Sequence, residues 1–409
     1  MAEEEIIFIT GICGYIGSNL ARYLLECEEY ETYQIHGCDN FFKEHSDQRY
    51  RELVAIQNPR LCIYLADLNH YETTQRLLRP REGVVKSIVH TSAAASAIIS
   101  MRFPFADFMN NAYSAAVLAR FLVDRLVEKS GVRHTELPVE HQVEVMKEAA
   151  LSEDVPKLIA LTTNKVYGMI EGSMWVDPRA IPESLWYNPD AAENPPVRRI
   201  ELLETETQWV PNIPWLREHG VSEYFRLDTC QQYGVHKTFE SLLTLDLNAS
   251  YNLVTTEIRP TTMTGRMYFD QYAILAHGWV DYLTKQICHG KQVTVFGDGK
   301  QVRDPVHGWD VLKMIRAIMD KQATEPDAVA GKAFNVGGGP ENAWSILDLF
   351  ELLEEFTGRP VTYRLELPRQ ADPRWYCSNI ELAEKILDWK KDIPIRQIVE
   401  ELATHHTNP

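Results

Sequence analysis

Tyr233 and Lys237 stand four residues apart in the segment Gln232-Tyr233-Gly234-Val235-His236-Lys237. On a helix that spacing puts both side chains on one face, where an ammonium can stabilise a tyrosinate able to take a proton from an alcohol. None of the other 17 of the chain's 18 tyrosines has a lysine at that distance. About one such pair is expected by chance at ordinary lysine usage, so its weight comes from two further groups. Thr162-Thr163-Asn164-Lys165-Val166-Tyr167-Gly168 follows the apolar run Leu158–Leu161 and sets a hydroxyl at a strand's carboxyl end, where ligands of open α/β sheets bind. Gly11, Gly14 and Gly17 follow the apolar run Ile6–Ile9 and lead into Ser18–Leu25, which has helical spacing. Such a turn lets a pyrophosphate approach bare backbone at the positive end of a helix, and predicts a dinucleotide cofactor.

The elements that must hold these groups can be traced as apolar runs: Ile6–Ile9, Tyr33–Cys38, Leu61–Leu65, Ser87–Thr91, Lys157–Thr162 and Tyr251–Ile258, with helical stretches between them. That alternation predicts an α/β fold, a Rossmann-type doubly wound parallel sheet. Asp39 closes the second run 22 residues after Gly17, where a carboxylate accepts hydrogen bonds from the adenosine ribose and favours NAD over NADP; Asp39-Asn40 opening a loop is the plain alternative. Asp67, after the third run, stands where an adenine edge would lie or caps a helix. Two stretches break the pattern, about 130–153, expected as a surface element, and 169–228, a candidate substrate lid or oligomer contact. After Gly265 the texture changes, with a turn at Phe296–Lys300 and helices expected from Trp344 to Thr357 and Ile380 to Leu387. The expected division is therefore residues 1–265 as the cofactor domain and 266–409 as a smaller mixed α/β substrate-binding domain, partly interleaved with the first and covering the sheet's carboxyl edge.

Composition bounds the partners. The chain has 409 residues, 45% hydrophobic and 24% charged, with a net charge of −17, which argues against nucleic acid or an anionic membrane as partner but leaves room for a small anion in a local basic pocket. No apolar run of about 18 residues occurs, and Met1-Ala2-Glu3-Glu4-Glu5 is acidic where a signal peptide is basic, so a cytoplasmic protein is expected. Seven scattered cysteines without a CxxC pair suggest reduced thiols, neither a disulfide framework nor a structural zinc site, and no metal is expected.

Taken together, the glycine turn, the hydroxyl at the sheet edge and the Tyr–Lys pair resemble the extended short-chain dehydrogenase/reductases of the NAD-dependent epimerase/dehydratase family. Thr163-Asn164-Lys165-Val166-Tyr167-Gly168, Phe269-Asp270-Gln271-Tyr272 with Gly278-Trp279-Val280, Gly297–Asp304, Phe334–Gly338 and Arg369-Gln370-Ala371-Asp372 are most similar to the CDP-tyvelose (CDP-paratose) 2-epimerases. The resemblance implies NAD held by Gly11, Gly14, Tyr15, Ile16, Gly17, Asp39, Asn40, Asp67, Leu68, Asn111, Tyr233 and Lys237. It implies Tyr233 as base, Lys237 as its partner and Thr163 as hydrogen-bonding partner of a sugar hydroxyl. For the sugar nucleotide it implies Arg303 and Arg369 on the diphosphate, for which guanidinium is suited, with Asn164, Lys165, Thr262 and Asp372 beside them; a surface ion pair is the plain reading of either arginine. A homodimer through a helical face is implied in the same way.

The chain also departs from that pattern. His90–Ser96 stands where relatives have His-Leu-Ala-Ala/Gly-Gln, Arg259–Met263 replaces the usual Arg-His-Ser-Ser-Met, and Cys230-Gln231-Gln232 precedes the tyrosine. The activity implied is epimerisation of a nucleotide sugar by transient oxidation of a carbinol, inversion and re-reduction. A nucleotide-sugar dehydratase is the nearest rival, but its relatives carry Asp-Glu after the threonine where this chain has Asn164-Lys165. A catalytically idle NAD-binding regulator is the alternative from another class, against which the complete Thr163, Tyr233 and Lys237 set argues.

Overall fold

The computed structural model describes residues 4–94, 97–132, 139–172, 200–269 and 278–407. Contacts divide the chain into two units, each assembled from three stretches of sequence: residues 1–162, 232–258 and 314–333 form the first, and 163–231, 259–313 and 334–409 the second.

The first unit is built on a seven-stranded parallel sheet. Its strands in chain order include β1 (Glu5–Thr10), β2 (Tyr33–Asp39), β3 (Leu61–Leu65), β4 (Val84–His90) and β5 (Lys157–Leu161). A short antiparallel hairpin of the second unit, β6 (Leu202–Glu204) and β7 (Trp209–Pro211), comes next. The sheet resumes with β8 (Thr255–Pro260) and, after the short strands β9 (Met263–Thr264), β10 (Val293–Phe296) and β11 (Val306–His307), ends with β12 (Lys332–Val336). The spatial order is β12-β8-β5-β4-β1-β2-β3, so the direction of growth reverses beside β1. Ile6 to Ile9 are all at most 1% exposed, because helices cover both faces of such a sheet and its central strands read as unbroken apolar runs. The sixth expected run, Tyr251–Ile258, starts late: Tyr251 still belongs to the helix Gln232–Tyr251, and Asn252, at a φ of 58°, makes the turn to β8.

The glycine turn is demanded by space. Gly11 has a φ of 67°, and a Cβ there would lie 2.8 Å from the Ser92 Cα; a Cβ on Gly17 would lie 2.2 Å from the Gly11 carbonyl. The helix Tyr15–Glu26 that follows has Gly14 as its N-cap and no side chain capping it. Its first turn therefore presents bare N–H groups, the arrangement that receives an anion. Farther along, Pro104–Phe108 and Ser114–Ser130 are joined by one π-helical turn, Met109–Tyr113, a local widening often found beside functional sites. The core packs Ile6, Phe8, Val85, Phe121 and Leu122 together with Met146, Ala149 and Ala150, and each fully buried large side chain contributes about 1.5–3 kcal/mol. Met146 to Ala150 come from the helix Val139–Ala150, so this stretch, expected as a surface element, supplies part of the core.

Among the described residues, the second unit holds two apolar cores. One gathers the helices Gly278–Cys288, Ile346–Thr357 and Ile395–Thr407 against β10, which pairs in parallel with β13 (Tyr363–Glu366). The helix Ile346–Thr357 opens with a reciprocal capping box of Ser345 and Asp348 and closes at Gly358 with a φ of 65°, satisfying end groups that otherwise weaken it. The other core joins Val166 and Tyr167 to Ile200, Ile213, Leu216 and Trp375. The described part of the 169–228 stretch is thus packed into this unit; residues 173–199, and residues 270–272 of Phe269–Tyr272, lie outside the described residues. Among the described residues no helix is long and apolar enough to cross a membrane.

Candidate active site

In the first unit the glycine turn, β2 and the loops after β3 and β4 surround one cleft. Gly11, Asp39, Asn40, Asp67, Leu68 and Ser92 line it, with Asn110 from the π-helical turn. The N–H groups of Gly11 and Ile12 both donate to the Cys38 carbonyl, at 2.8 and 3.2 Å, which ties the turn to the end of β2. Asp39 is held from both sides, accepting the Cys13 N–H at 3.0 Å and the Phe41 N–H at 2.8 Å. Burial pushes its carboxyl above the usual range and those two N–H groups pull it back. A carboxylate has about four acceptor positions, so even with the Gly14 N–H also directed at it acceptor capacity remains for a hydroxyl of a ligand. Asp67 accepts the Asn69 N–H at 2.9 Å and the Asn40 amide at 3.3 Å. An uncapped helix start, a Cβ-free turn and a fixed carboxylate are a donor and acceptor set that fits a dinucleotide. Tyr15, Ile16 and Gly17 form the first helical turn, Ile16 and Gly17 buried in it. Asn111 is turned inward: its carbonyl accepts the Ala94 N–H at 3.0 Å and its amide donates to Asp107 at 2.8 Å.

Tyr233 and Lys237 lie in the first turns of the helix Gln232–Tyr251, 8% and 1% exposed. Lys237 Nζ donates to the Leu161 carbonyl at 2.9 Å and to Glu240 Oε2 at 2.7 Å. Glu240 is wholly buried, and burial pushes its carboxyl up to about 7 against the pull of Lys237. Sequence reasoning missed Glu240; its one available signal was the i, i+3 spacing from Lys237, which on an exposed face would mean only a weak surface pair.

The second unit carries the remaining candidates. Thr163 is the N-cap of the short helical turn Asn164–Tyr167, accepting the Lys165 N–H at 3.3 Å, and both Thr163 and Asn164 are buried. Behind them Tyr167 donates to Asn335 at 2.8 Å and accepts from Arg259 at 2.9 Å, so the turn rests on a fixed polar base. Gly168 is required there, since a Cβ would fall 1.7 Å from the Asp228 carbonyl. Lys165 is brought beside Arg303, Asp372 and Cys230; burial and the Arg303 charge push its ammonium down to about 8. Arg303, 6% exposed, donates to Asp372 at 2.6 Å and to the Val302 carbonyl at 2.7 Å. Burial alone would raise the Asp372 carboxyl, but the charges of Arg303 and Lys165 hold it below the usual range. Arg369 places its guanidinium 4.4 Å over the Phe296 ring, a cation–π contact that fixes its plane. Asp304, next to Arg303, accepts from Ser378, Gly339 and Thr261 and so binds three loops together. No described contact joins Thr262 to this cluster; its carbonyl accepts the Val306 N–H at 3.0 Å. Among the described residues Lys165, Arg303 and Arg369 gather around Asp372, which makes this a place for an anionic ligand, and guanidinium geometry suits a phosphate.

Residues 210–337 match the NAD dependent epimerase/dehydratase family and residues 8–131 the GDP-mannose 4,6 dehydratase family. The chain is 24% identical to the CDP-paratose 2-epimerase of Salmonella typhi over 97% of both proteins. Among solved structures it is similar to the UDP-glucose 4-epimerase of Thermotoga maritima with UDP-glucose, at a TM-score of 0.64 and 21% identity over 98% of both chains. It is likewise similar to the UDP-glucuronic acid 4-epimerase of Bacillus cereus in complex with NAD, at a TM-score of 0.62 and 19% identity over 98% and 96% of the two chains. With the glycine turn and the Tyr–Lys helix in place, these matches mark the chain as an NAD-dependent enzyme of the short-chain dehydrogenase/reductase type, similar to the sugar-nucleotide epimerases and dehydratases.

Proposed function

We propose that the protein epimerises a nucleotide-diphosphate sugar, in the manner of the CDP-tyvelose 2-epimerases, and that it does so by oxidising, inverting and reducing again a sugar carbinol. The observation that carries this reading is Lys165, a half-buried cation beside Arg303 and Asp372, where a dehydratase would need a carboxylate to remove water from the sugar. Similarity to the Salmonella typhi enzyme over nearly the whole chain supports it.

Gly11, Gly14, Tyr15, Ile16 and Gly17 would hold the pyrophosphate of NAD, Asp39 and Asn40 the adenosine ribose, and Asp67 and Leu68 the adenine. Asn111 would act from behind the cleft, through Ala94. Bound NAD supplies a two-electron acceptor that takes the carbinol's electrons and returns them. Tyr233 takes the hydroxyl proton, and free tyrosine ionises near pH 10, so it depends on the ammonium of Lys237 to be an anion near neutrality. Thr163 orients the same hydroxyl. Arg303 and Arg369 bind the diphosphate, with Asn164, Lys165, Thr262 and Asp372 completing the sugar-nucleotide site. The protein acts in the cytoplasm, in carbohydrate biosynthesis, as a homodimer. Exposed Val235, Phe239 and Leu242 on the Tyr–Lys helix, with Phe105 and Phe108 of the same unit, offer the apolar face for that pairing.

Incubating the purified protein with CDP-, UDP-, GDP- and dTDP-sugars and separating the products tests the proposal. An epimer of one substrate is expected, formed by the native protein and not by Tyr233→Phe. A 4-keto-6-deoxy product would make it a dehydratase, and bound NAD with no turnover of any sugar would favour the regulator.

A further inference from the structure

Lys237 is more than a neighbour of Tyr233. An ammonium has three N–H donors, and two of them are committed inside the first unit, to the Leu161 carbonyl and to Glu240 Oε2. The other carboxylate oxygen, Glu240 Oε1, has no hydrogen-bond partner among the described residues and lies 3.9 Å from His90 Nε2, which has none either. The opposite nitrogen of His90 is 2.7 Å from the Thr10 hydroxyl, at the end of β1 and one residue before the glycine turn. A buried row of polar groups thus runs from Thr10 through His90 and Glu240 to Lys237, all at most 1% exposed.

Other charged groups face this row. Glu257 on β8 is a second buried carboxylate, but it is held by the hydroxyls of Thr162 at 2.5 Å and Ser241 at 2.9 Å. Asp107 is bonded to His236 at 2.6 Å. Burial and the Lys237 charge push His90 down to about 3, so it stays neutral. Glu240 is the one carboxylate in hydrogen-bond contact with the Lys237 ammonium among the described residues.

We propose that Glu240 is a positioning residue for the Tyr233–Lys237 pair: it aims the N–H of Lys237 that has no partner among the described residues and, while ionised, keeps part of the ammonium's charge from reaching the tyrosinate. This rests on the reading of Tyr233 as the base. A buried carboxylate at 2.7 Å makes Lys237 half of a neutral pair, so Tyr233 ionises less readily than beside a bare ammonium. When Glu240 takes up a proton, the full positive charge is returned to Tyr233. The acidity of the base is therefore set by a residue one helical turn beyond the lysine.

The test is a pH titration of tyrosinate absorbance on the purified protein, with Tyr233→Phe subtracted to isolate Tyr233. Glu240→Gln keeps a hydrogen-bond acceptor and the side-chain shape while removing the charge. It is expected to move the Tyr233 ionisation down by about one pH unit, about tenfold more tyrosinate at a given pH below the midpoint. Glu240→Asp, which keeps the charge, is expected to titrate like the native protein. In a Lys237→Gln background the Glu240→Gln change is expected to move nothing. The proposal is overturned by a Glu240→Gln titration that superimposes on the native one, by an Asp variant that behaves as Gln does, or by an equal shift in both backgrounds. Loss of the folded state in both Gln and Asp variants would overturn it too, since the carboxylate would then serve the fold alone. No sugar is needed, so a failure to find a nucleotide-sugar substrate leaves this result standing by itself.

Discussion

Lys237 is a buried cation and Lys165 a half-buried one, and the two units treat them in opposite ways. Lys237 is closed off by a carboxylate and a carbonyl of its own unit. Lys165 has Arg303 beside it, and the carboxylate that acts on it among the described residues, Asp372, is already bonded to Arg303. Burying a pair offsets most of the desolvation cost, whereas burying surplus positive charge leaves a cost that an anion from outside relieves. The first centre is arranged to act on a neighbouring side chain and the second to receive a ligand. In a chain of net charge −17 such a local surplus is informative.

The contrast can be broken in several ways, the largest through the base. Tyr233→Phe is expected to lower turnover by about 10²–10⁴-fold while NAD stays bound, measured by product formation and by cofactor content of the purified protein. Arg303→Met is expected to weaken nucleotide-sugar binding about 10–100-fold, the range for a lost charged hydrogen bond, with NAD content unchanged. Equal loss of NAD would erase the distinction between the two centres. Lys165 sharpens it through pH. Its ammonium, pushed down to about 8, is charged below that pH and neutral above it, so binding of a nucleoside diphosphate is expected to fall as pH rises through 8. Lys165→Met is expected to bind more weakly at pH 7 and without that fall, as calorimetry would show. The smallest effect belongs to an exposed pair: Asp392→Asn, which removes one of the two carboxylates beside Lys313, is expected to change stability by less than about 1 kcal/mol in thermal melts.

What could be read from the sequence follows from how each part is buried. Central strands covered on both faces appear as apolar runs, so β1, β4 and β5 were legible, the half-buried edge strand β3 could be read from its apolar composition, and the glycine spacing announced the turn after β1. Strand β12 was not, because Lys332 and Asn335 interrupt the apolar residues Ala333, Phe334 and Val336, although every residue of the strand but Lys332 is buried. The helix Val139–Ala150 looked like surface because Glu, His and Lys crowd it, yet Met146, Ala149 and Ala150 share one buried face. The spacing of Tyr233 and Lys237 could be seen at once, but Glu240 could not, since a glutamate three residues on is ordinarily solvated. Only the burial of Ser241, Thr244 and Leu247 along the same helix shows that this face is inside. Lys165 and Arg303 were visible as types within motifs; that they share one carboxylate 69 residues from Arg303 is a fact of folding.

The central claim, that a sugar carbinol is oxidised and reduced at the carbon that inverts, is tested most directly by running the reaction in deuterated water. The account predicts an epimer with no deuterium at the inverted carbon, because the electrons and the hydrogen return from NAD within one turnover. Deuterium at that carbon would show inversion through an enol and contradict it.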